Sequence, residues 1–224
     1  MKAVALCSGG KDSIFAIHVA TMMGFDVGAL LTVIPKHDSP MLFHKPFAPY
    51  VSLQAESMGI EWVSTEVWRE GEEEHALLRV LRDGMRSTGA THLVVGALLS
   101  DYQRIRFALV AEKVGLRIVA PLWRKDQARY MRELIDAGVE AMITSVSVHG
   151  LPLEWLGRVI DRELVEEIIA RARRYGFNPA FEGGEAETFV VNAPLFRKRI
   201  CVEYERVIVS EFEGFVKPVR VYLC

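Results

Sequence analysis

Ser8, Gly9, Gly10, Lys11, Asp12 and Ser13 stand together near the start of a 224-residue chain. Their types suit one task, holding phosphate. Two adjacent glycines let the backbone approach an anion with no Cβ in the way. The Ser8 and Ser13 hydroxyls can donate to phosphate oxygens, Lys11 brings positive charge, and Asp12 can hold Mg2+ directly or through water. The stretch follows an apolar run, Ala3 to Cys7, and opens a helix-like run, Asp12 to Met23. The first free amides of a helix carry partial positive charge, so such a corner is a ready anion site. The bland alternative is a glycine-rich turn that merely starts a helix. The Walker A pattern fails, because Ala5 stands where its first glycine belongs and Asp12, not a hydroxyl residue, follows Lys11.

A second constellation is Glu182-Gly183-Gly184-Glu185-Ala186-Glu187-Thr188. Its carboxylates repel one another unless something cationic sits nearby, so they suit a cationic group and a proton acceptor. The plain alternative is an acidic surface turn. Tyr102, Gln103, Arg104 and Arg106 fall in the first turns of a helix that begins beyond a strand end. Arg104 and Arg106 are two apart and do not share a helix face, so at most one points squarely at a ligand. Trp155 reads as a packing aromatic, with a cage for a quaternary ammonium as the sharper alternative. His18, His44 and His149 read first as structural, and Cys7 as a small core residue rather than a nucleophile.

The elements that must position these residues alternate. Apolar runs at 3–7, 27–34, 91–96 and 117–120, with a weaker alternating one at 61–67, read as strands. Helices fit between them at 12–23, 47–58, 72–87 and 100–114, the last opened by Ser100 with Gln103 as a capping box. Near-continuous apolar strands separated by helices predict a parallel sheet covered on both faces, with ligands beyond the carboxyl ends of the strands. Ile34 and Gly96 stand at two such ends and join the candidate nucleotide contacts. The second half predicts helices at 126–137 and from Asp161 to Arg174, and strands at 140–148, near 198–209 and at 215–223. A boundary falls near 122–126. The expected fold is α/β, a Rossmann-like parallel sheet followed by a smaller α+β lobe, divided as 1–124 and 125–224.

Composition excludes several classes. Half the residues are hydrophobic and a quarter charged, which is globular and not disordered. The net charge of −2 shows no positive field, so neither nucleic acid nor an anionic membrane is expected as a partner. No apolar stretch reaches the length of a membrane span or a signal-peptide core. The cysteines at 7, 201 and 224 are odd in number and distant in sequence, so no disulfide is expected and a reducing, cytoplasmic location follows. No structural metal is expected.

The loop matches S-G-G-x-D-S and resembles the pyrophosphate loop of the ATP pyrophosphatase superfamily, whose fold is that of the adenine nucleotide alpha hydrolase-like proteins. Further segments follow in one order: Gly96-Ala97-Leu98-Leu99-Ser100-Asp101-Tyr102-Gln103-Arg104-Ile105-Arg106, Pro121-Leu122-Trp123, Trp155-Leu156-Gly157-Arg158, and the 182–189 stretch. Together they resemble the diphthine–ammonia ligase family from the loop to about Phe196. Ala186 departs from the aromatic expected within E-G-G-E-x-E-T, which argues against stacking at that position.

The resemblance implies an ATP-dependent ligase forming a C–N bond. The carboxylate of diphthine, a modified histidine on translation elongation factor 2, is adenylated and then amidated by ammonium, giving diphthamide, AMP and pyrophosphate. It implies ATP with Mg2+ as cofactors, and a 125–224 lobe peculiar to the family. Ser8, Gly9, Gly10, Lys11, Asp12, Ser13, Ile34 and Gly96 would bind nucleotide, with Asp12 the Mg2+ ligand. Lys11, Asp12, Glu185 and Glu187 would be catalytic, the glutamates binding ammonium or the trimethylammonium of diphthine. His44, Tyr102, Gln103, Arg104, Arg106, Glu182 and Thr188 would contact substrate. No glutaminase part is visible, so free ammonium or a separate partner supplies nitrogen. Homo-oligomerisation stays open. The alternatives are a related ligase acting on transfer RNA or a small carboxylate, and a non-enzymatic ATP- or AMP-binding module.

Overall fold

Residues 1–36 and 47–224 are described in the computed structural model. His44 lies outside them. The chain divides into two compact units, Met1–Trp123 and Arg124–Cys224.

The first unit runs β1 (Lys2–Leu6), α1 (Lys11–Met22), β2 (Asp26–Pro35), α2 (Val51–Met58), β3 (Glu61–Val67), α3 (Glu73–Thr88), β4 (His92–Val94), α4 (Asp101–Lys113) and β5 (Arg117–Val119). Its sheet has the order β3-β2-β1-β4-β5, and every neighbouring pair is parallel. This is the expected Rossmann-like sheet. The central strand explains why the apolar runs are continuous rather than alternating. Val4 and Leu6 of β1 pack in one core with Leu77, Val80 and Leu81 of α3 and Phe107 and Val110 of α4. Ala3 and Ala5, which point the other way along the strand, are buried too, as are Ile14 and Ile17 of α1 and Val51 and Ala55 of α2.

Strand order reverses beside β1, with β2 and β3 on one side and β4 and β5 on the other. Connections that leave in opposite directions open a crevice at the carboxyl ends of the strands where they part. The 8–13 loop follows β1 at that point.

Local signals place the helix starts. The Ser100 hydroxyl accepts from the Gln103 N–H at 3.2 Å, the first half of the expected capping box. Asp126 accepts from Arg129 N–H and Asp161 from Leu164 N–H, both at 2.8 Å. Such caps contribute about 1 kcal/mol each.

The second unit holds α5 (Gln127–Asp136), β6 (Glu140–Ser147), α6 (Arg162–Tyr175), β7 (Ala186–Asn192), β8 (Ile200–Ile208) and β9 (Glu213–Leu223). Its sheet, in the order β7-β6-β9-β8, is antiparallel. Tyr130, Met131 and Leu134 of α5 and Ile168 and Ile169 of α6 are buried. Arg132 of α5 grips the Glu166 carboxylate of α6 through two nitrogens, at 2.6 and 2.7 Å. The unit is the α+β lobe that the sequence predicts.

One expectation is overturned. Cys201 and Cys224 form a disulfide, with Cα atoms 5.9 Å apart. Distance along the chain misleads here because β8 and β9 are antiparallel neighbours. Cys201 lies opposite Tyr222, which brings Cys224 two residues along to its diagonal. The cysteine pattern therefore no longer argues for a reducing compartment. Among the described residues, no helix is long and apolar enough to cross a membrane.

Candidate functional site

The loop between β1 and α1 is held from three directions. Gly9 adopts φ +84°, a conformation that L side chains rarely take, and Gly10 returns to extended backbone as the N-cap of α1. From below, the Cys7 N–H donates to the Leu31 carbonyl at 2.9 Å, and the Thr32 hydroxyl donates to the Cys7 carbonyl at 3.1 Å. The Trp62 indole N–H donates in turn to the Thr32 hydroxyl at 3.0 Å. Within the loop, the Ser13 hydroxyl donates to the Gly10 carbonyl at 3.0 Å and sits 3.6 Å from the Cys7 sulfur. From α2, the Gln54 amide donates to the Gly9 carbonyl at 3.0 Å.

Gly96, just past β4, completes the floor. A Cβ built on it would fall within 2.8 Å of three backbone atoms of Asp12 and Ser13. The residue therefore serves close backbone approach, by which β4 supports the start of α1. Ile34 is buried at the carboxyl end of β2.

Lys11 is the first residue of α1. It is only 3% exposed, and its ammonium lies 2.9 Å from an Asp12 carboxylate oxygen. Burial pushes the Cys7 thiol up to about 11, because ionisation has no solvent to stabilise it; the Ser13 hydroxyl and the Gly9 backbone offset this only partly. Cys7 is thus a neutral thiol and a weak donor, as its reading as a core residue requires.

The arginines of α4 separate, as two-residue spacing predicts. The Arg104 guanidinium lies 4.6 Å from the centre of the Trp123 ring and 3.3 Å from an Asp101 oxygen. Its Nε is buried without a hydrogen bond. Arg106 turns to α3, 3.3 Å from Glu74, and donates to the Tyr102 hydroxyl at 3.4 Å. Lys113 joins the same Glu74 at 2.6 Å, and with Arg106 it holds that carboxyl below its usual range. The Gln103 contribution on view is its backbone N–H, spent on the Ser100 cap.

In the second unit, the acidic stretch is built around Glu185. One of its oxygens accepts from the Asn178 N–H and the other from the Gly183 N–H, both at 2.8 Å. Amide dipoles thus meet a charge for which the sequence suggested a cation. Ser147 ties the same turn down by donating to the Gly184 carbonyl at 2.6 Å. Glu187 and Thr188 of β7 lie opposite Ser145 and Ile143 of β6, and Glu182 precedes the glycines. Ala186 is buried. Trp155 is buried under Arg171, whose guanidinium sits 5.2 Å from the ring centre, so it packs within its own unit. His149 lies edge-on to Tyr175 and Phe212, with ring centres 5.0 and 4.9 Å away.

Gln54 is the site residue that sequence reasoning missed. A signal existed. Val51, Ala55 and Met58 form the buried stripe of α2, and Gln54 is a polar residue on that stripe.

Among solved structures, one described as a predicted subunit of tRNA methyltransferase from Methanocaldococcus jannaschii aligns over 87% of this chain and 98% of that one, at 18% identity and a TM-score of 0.44. The diphthine–ammonia ligase of Homo sapiens is 30% identical over 96% of this chain and 88% of its own length. That of Danio rerio is 32% identical over 96% of this chain and 91% of its own. The diphthamide synthase N-terminal domain matches residues 1–118 and the diphthamide synthase C-terminal domain matches 126–222. Both domains in order, with relatives of nearly the same extent, leave one conclusion: the chain belongs to the diphthamide synthase family.

Proposed function

We propose that this chain is an ATP-dependent amide ligase that converts diphthine on translation elongation factor 2 to diphthamide, using ammonium and releasing AMP and pyrophosphate. The observation that carries the reading is the glycine corner at the switch point of the sheet, in a chain matched by both domains of the family.

The chemistry explains the need for such a corner. A carboxylate is a poor electrophile at neutral pH, and its oxygen is a poor leaving group. Attack of that oxygen on the α-phosphorus expels pyrophosphate and turns the oxygen into part of an AMP leaving group. Ammonia nitrogen then displaces AMP at the carbonyl carbon and loses its proton. The protein's task is to hold reactants in line and neutralise developing charge.

The residues present fit a triphosphate. The backbone beyond Gly9 and the first turn of α1 offer amide donors, and Gly96 lets β4 pack closely under the start of α1. Gly9, Gly10, Ser8 and Ser13 line the corner, Ile34 closes the end of β2, and Lys11 sets a cation within the first turn of α1. Asp12 is the residue that would hold Mg2+ arriving with the nucleotide, and the ion would offset the phosphate charge there. Among the described residues, no group of three His, Cys, Asp or Glu side chains forms a metal cage.

In the second unit, Glu185 shapes the acidic turn, Glu187 takes the proton of the attacking nitrogen, and Glu182 and Thr188 belong to the acceptor side. Tyr102 and Arg104 at the start of α4 serve substrate, while Arg106 braces α4 on α3. A transfer-RNA substrate is not favoured, since the net charge is −2 and the relatives are diphthine–ammonia ligases.

The test is to incubate the protein with ATP, ammonium and diphthine-bearing elongation factor 2. AMP, pyrophosphate and an amidated factor are expected, with no turnover when glutamine replaces ammonium. ADP and orthophosphate as products would overturn the reading.

A further inference from the structure

Gln54 is fully buried on α2, and it reaches the phosphate loop from a part of the sequence with no motif of its own. Its amide nitrogen lies 3.0 Å from the Gly9 carbonyl oxygen, and its amide oxygen lies 3.9 Å from the Cys7 sulfur. The pairing is self-consistent. A carbonyl only accepts, so the nitrogen must face Gly9, and a neutral thiol can donate to the oxygen.

We infer that Gln54 is a positioning residue that locks the Gly9–Gly10 peptide in the one orientation able to bind phosphate. A trans peptide is planar, and its C=O and N–H point in opposite directions. Drawing the Gly9 oxygen into the interior therefore turns the Gly10 N–H outward. That N–H lies 3.5 Å from the exposed Ser8 hydroxyl.

A lock is needed because the bond joins two glycines. Rotating this peptide by half a turn changes ψ of Gly9 and φ of Gly10, and a glycine tolerates either sign of φ. Gly10 has φ −78° here. After the flip it would sit at about +100°, open to glycine and closed to alanine. The flipped loop would present a carbonyl oxygen to the phosphate, exchanging attraction for repulsion. Two glycines are useful for close approach to an anion, and they also make this failure cheap.

The inference rests on the loop binding ATP, and the experiment separates the two claims. ATP and adenosine affinities are measured by calorimetry on the full chain for wild type, Gln54→Met, Gly10→Ala and the double variant. Gln54→Met keeps the volume and removes the donor. It should weaken ATP at least tenfold and leave adenosine, which lacks phosphates, within about twofold. In the Gly10→Ala background, where alanine itself resists the flip, the same Gln54 change should weaken ATP less than about threefold. An equal factor in both backgrounds, or equal losses for ATP and adenosine, overturns the lock. If Gln54→Met does not fold, Gln54→Leu is read through the same cycle, since it also removes the donor to the Gly9 oxygen. A wild type that binds no ATP sinks the function and the lock together; a variant that matches an ATP-binding wild type overturns the lock alone.

Discussion

Gly96 and Asp12 meet backbone to backbone: a Cβ built on Gly96 would lie 2.7 Å from the Asp12 carbonyl carbon. No side-chain rotation relieves such a contact, because both partners are main chain. Gly96→Ala should therefore move the start of α1, weaken ATP binding by more than tenfold and cost about 1–3 kcal/mol of stability. Calorimetry and urea unfolding check the two effects. Unchanged ATP affinity would show that the approach of β4 to α1 does not shape the site.

Lys11 is buried, so truncating it to alanine mixes loss of charge with loss of packing. Lys11→Met fills a similar volume without the ammonium. It should fold with a melting point close to wild type and form AMP at least a hundredfold more slowly, about 3 kcal/mol of transition-state stabilisation. Near-normal AMP production in the folded variant would remove Lys11 from the chemistry.

Burial raises the Cys7 thiol from 9.0 to about 11, and the sign of the consequence is fixed. The folded state keeps the proton that the unfolded chain gives up. The stability contribution is whole below about pH 9 and is lost as pH rises from about 9 to about 11, at most roughly 2–3 kcal/mol. Urea unfolding of wild type and Cys7→Ala across that window should show the wild type losing more. Parallel curves would mean that Cys7 does not titrate as buried.

Glu185 and Glu187 should separate. Glu185→Gln sets an amide NH2 against a backbone N–H and should cost about 1–3 kcal/mol of stability. Glu187→Gln should fold like wild type and lower ammonia-dependent turnover at least tenfold. Full turnover in Glu187→Gln would take that side chain out of the nitrogen step.

What the sequence made legible was local. The strand–loop–helix at 2–22 announces itself through composition, because an anion corner needs glycines, hydroxyls and a helix start within a few residues. Ser100, Asp126 and Asp161 behave as caps because a cap is decided within four residues. Contacts made across the fold left weaker traces. Gln54 reaches Gly9 over 45 residues, and a lone glutamine on an apolar stripe looks like a flaw in a pattern rather than a support. The Cys201–Cys224 bond depends on strand register, which cysteine spacing does not encode. The glutamates around Gly183 and Gly184 were visible as charge, but not the backbone N–H groups that receive Glu185, since those come from the turn after α6.

The bond between Cys201 and Cys224 joins β8 and β9 at the end opposite their connecting turn, where Val209 and Ser210 donate to the Glu213 carbonyl. A protease that nicks the chain in that turn would release nothing. The severed pieces would travel as one species on a non-reducing gel and part only when a thiol reagent is added.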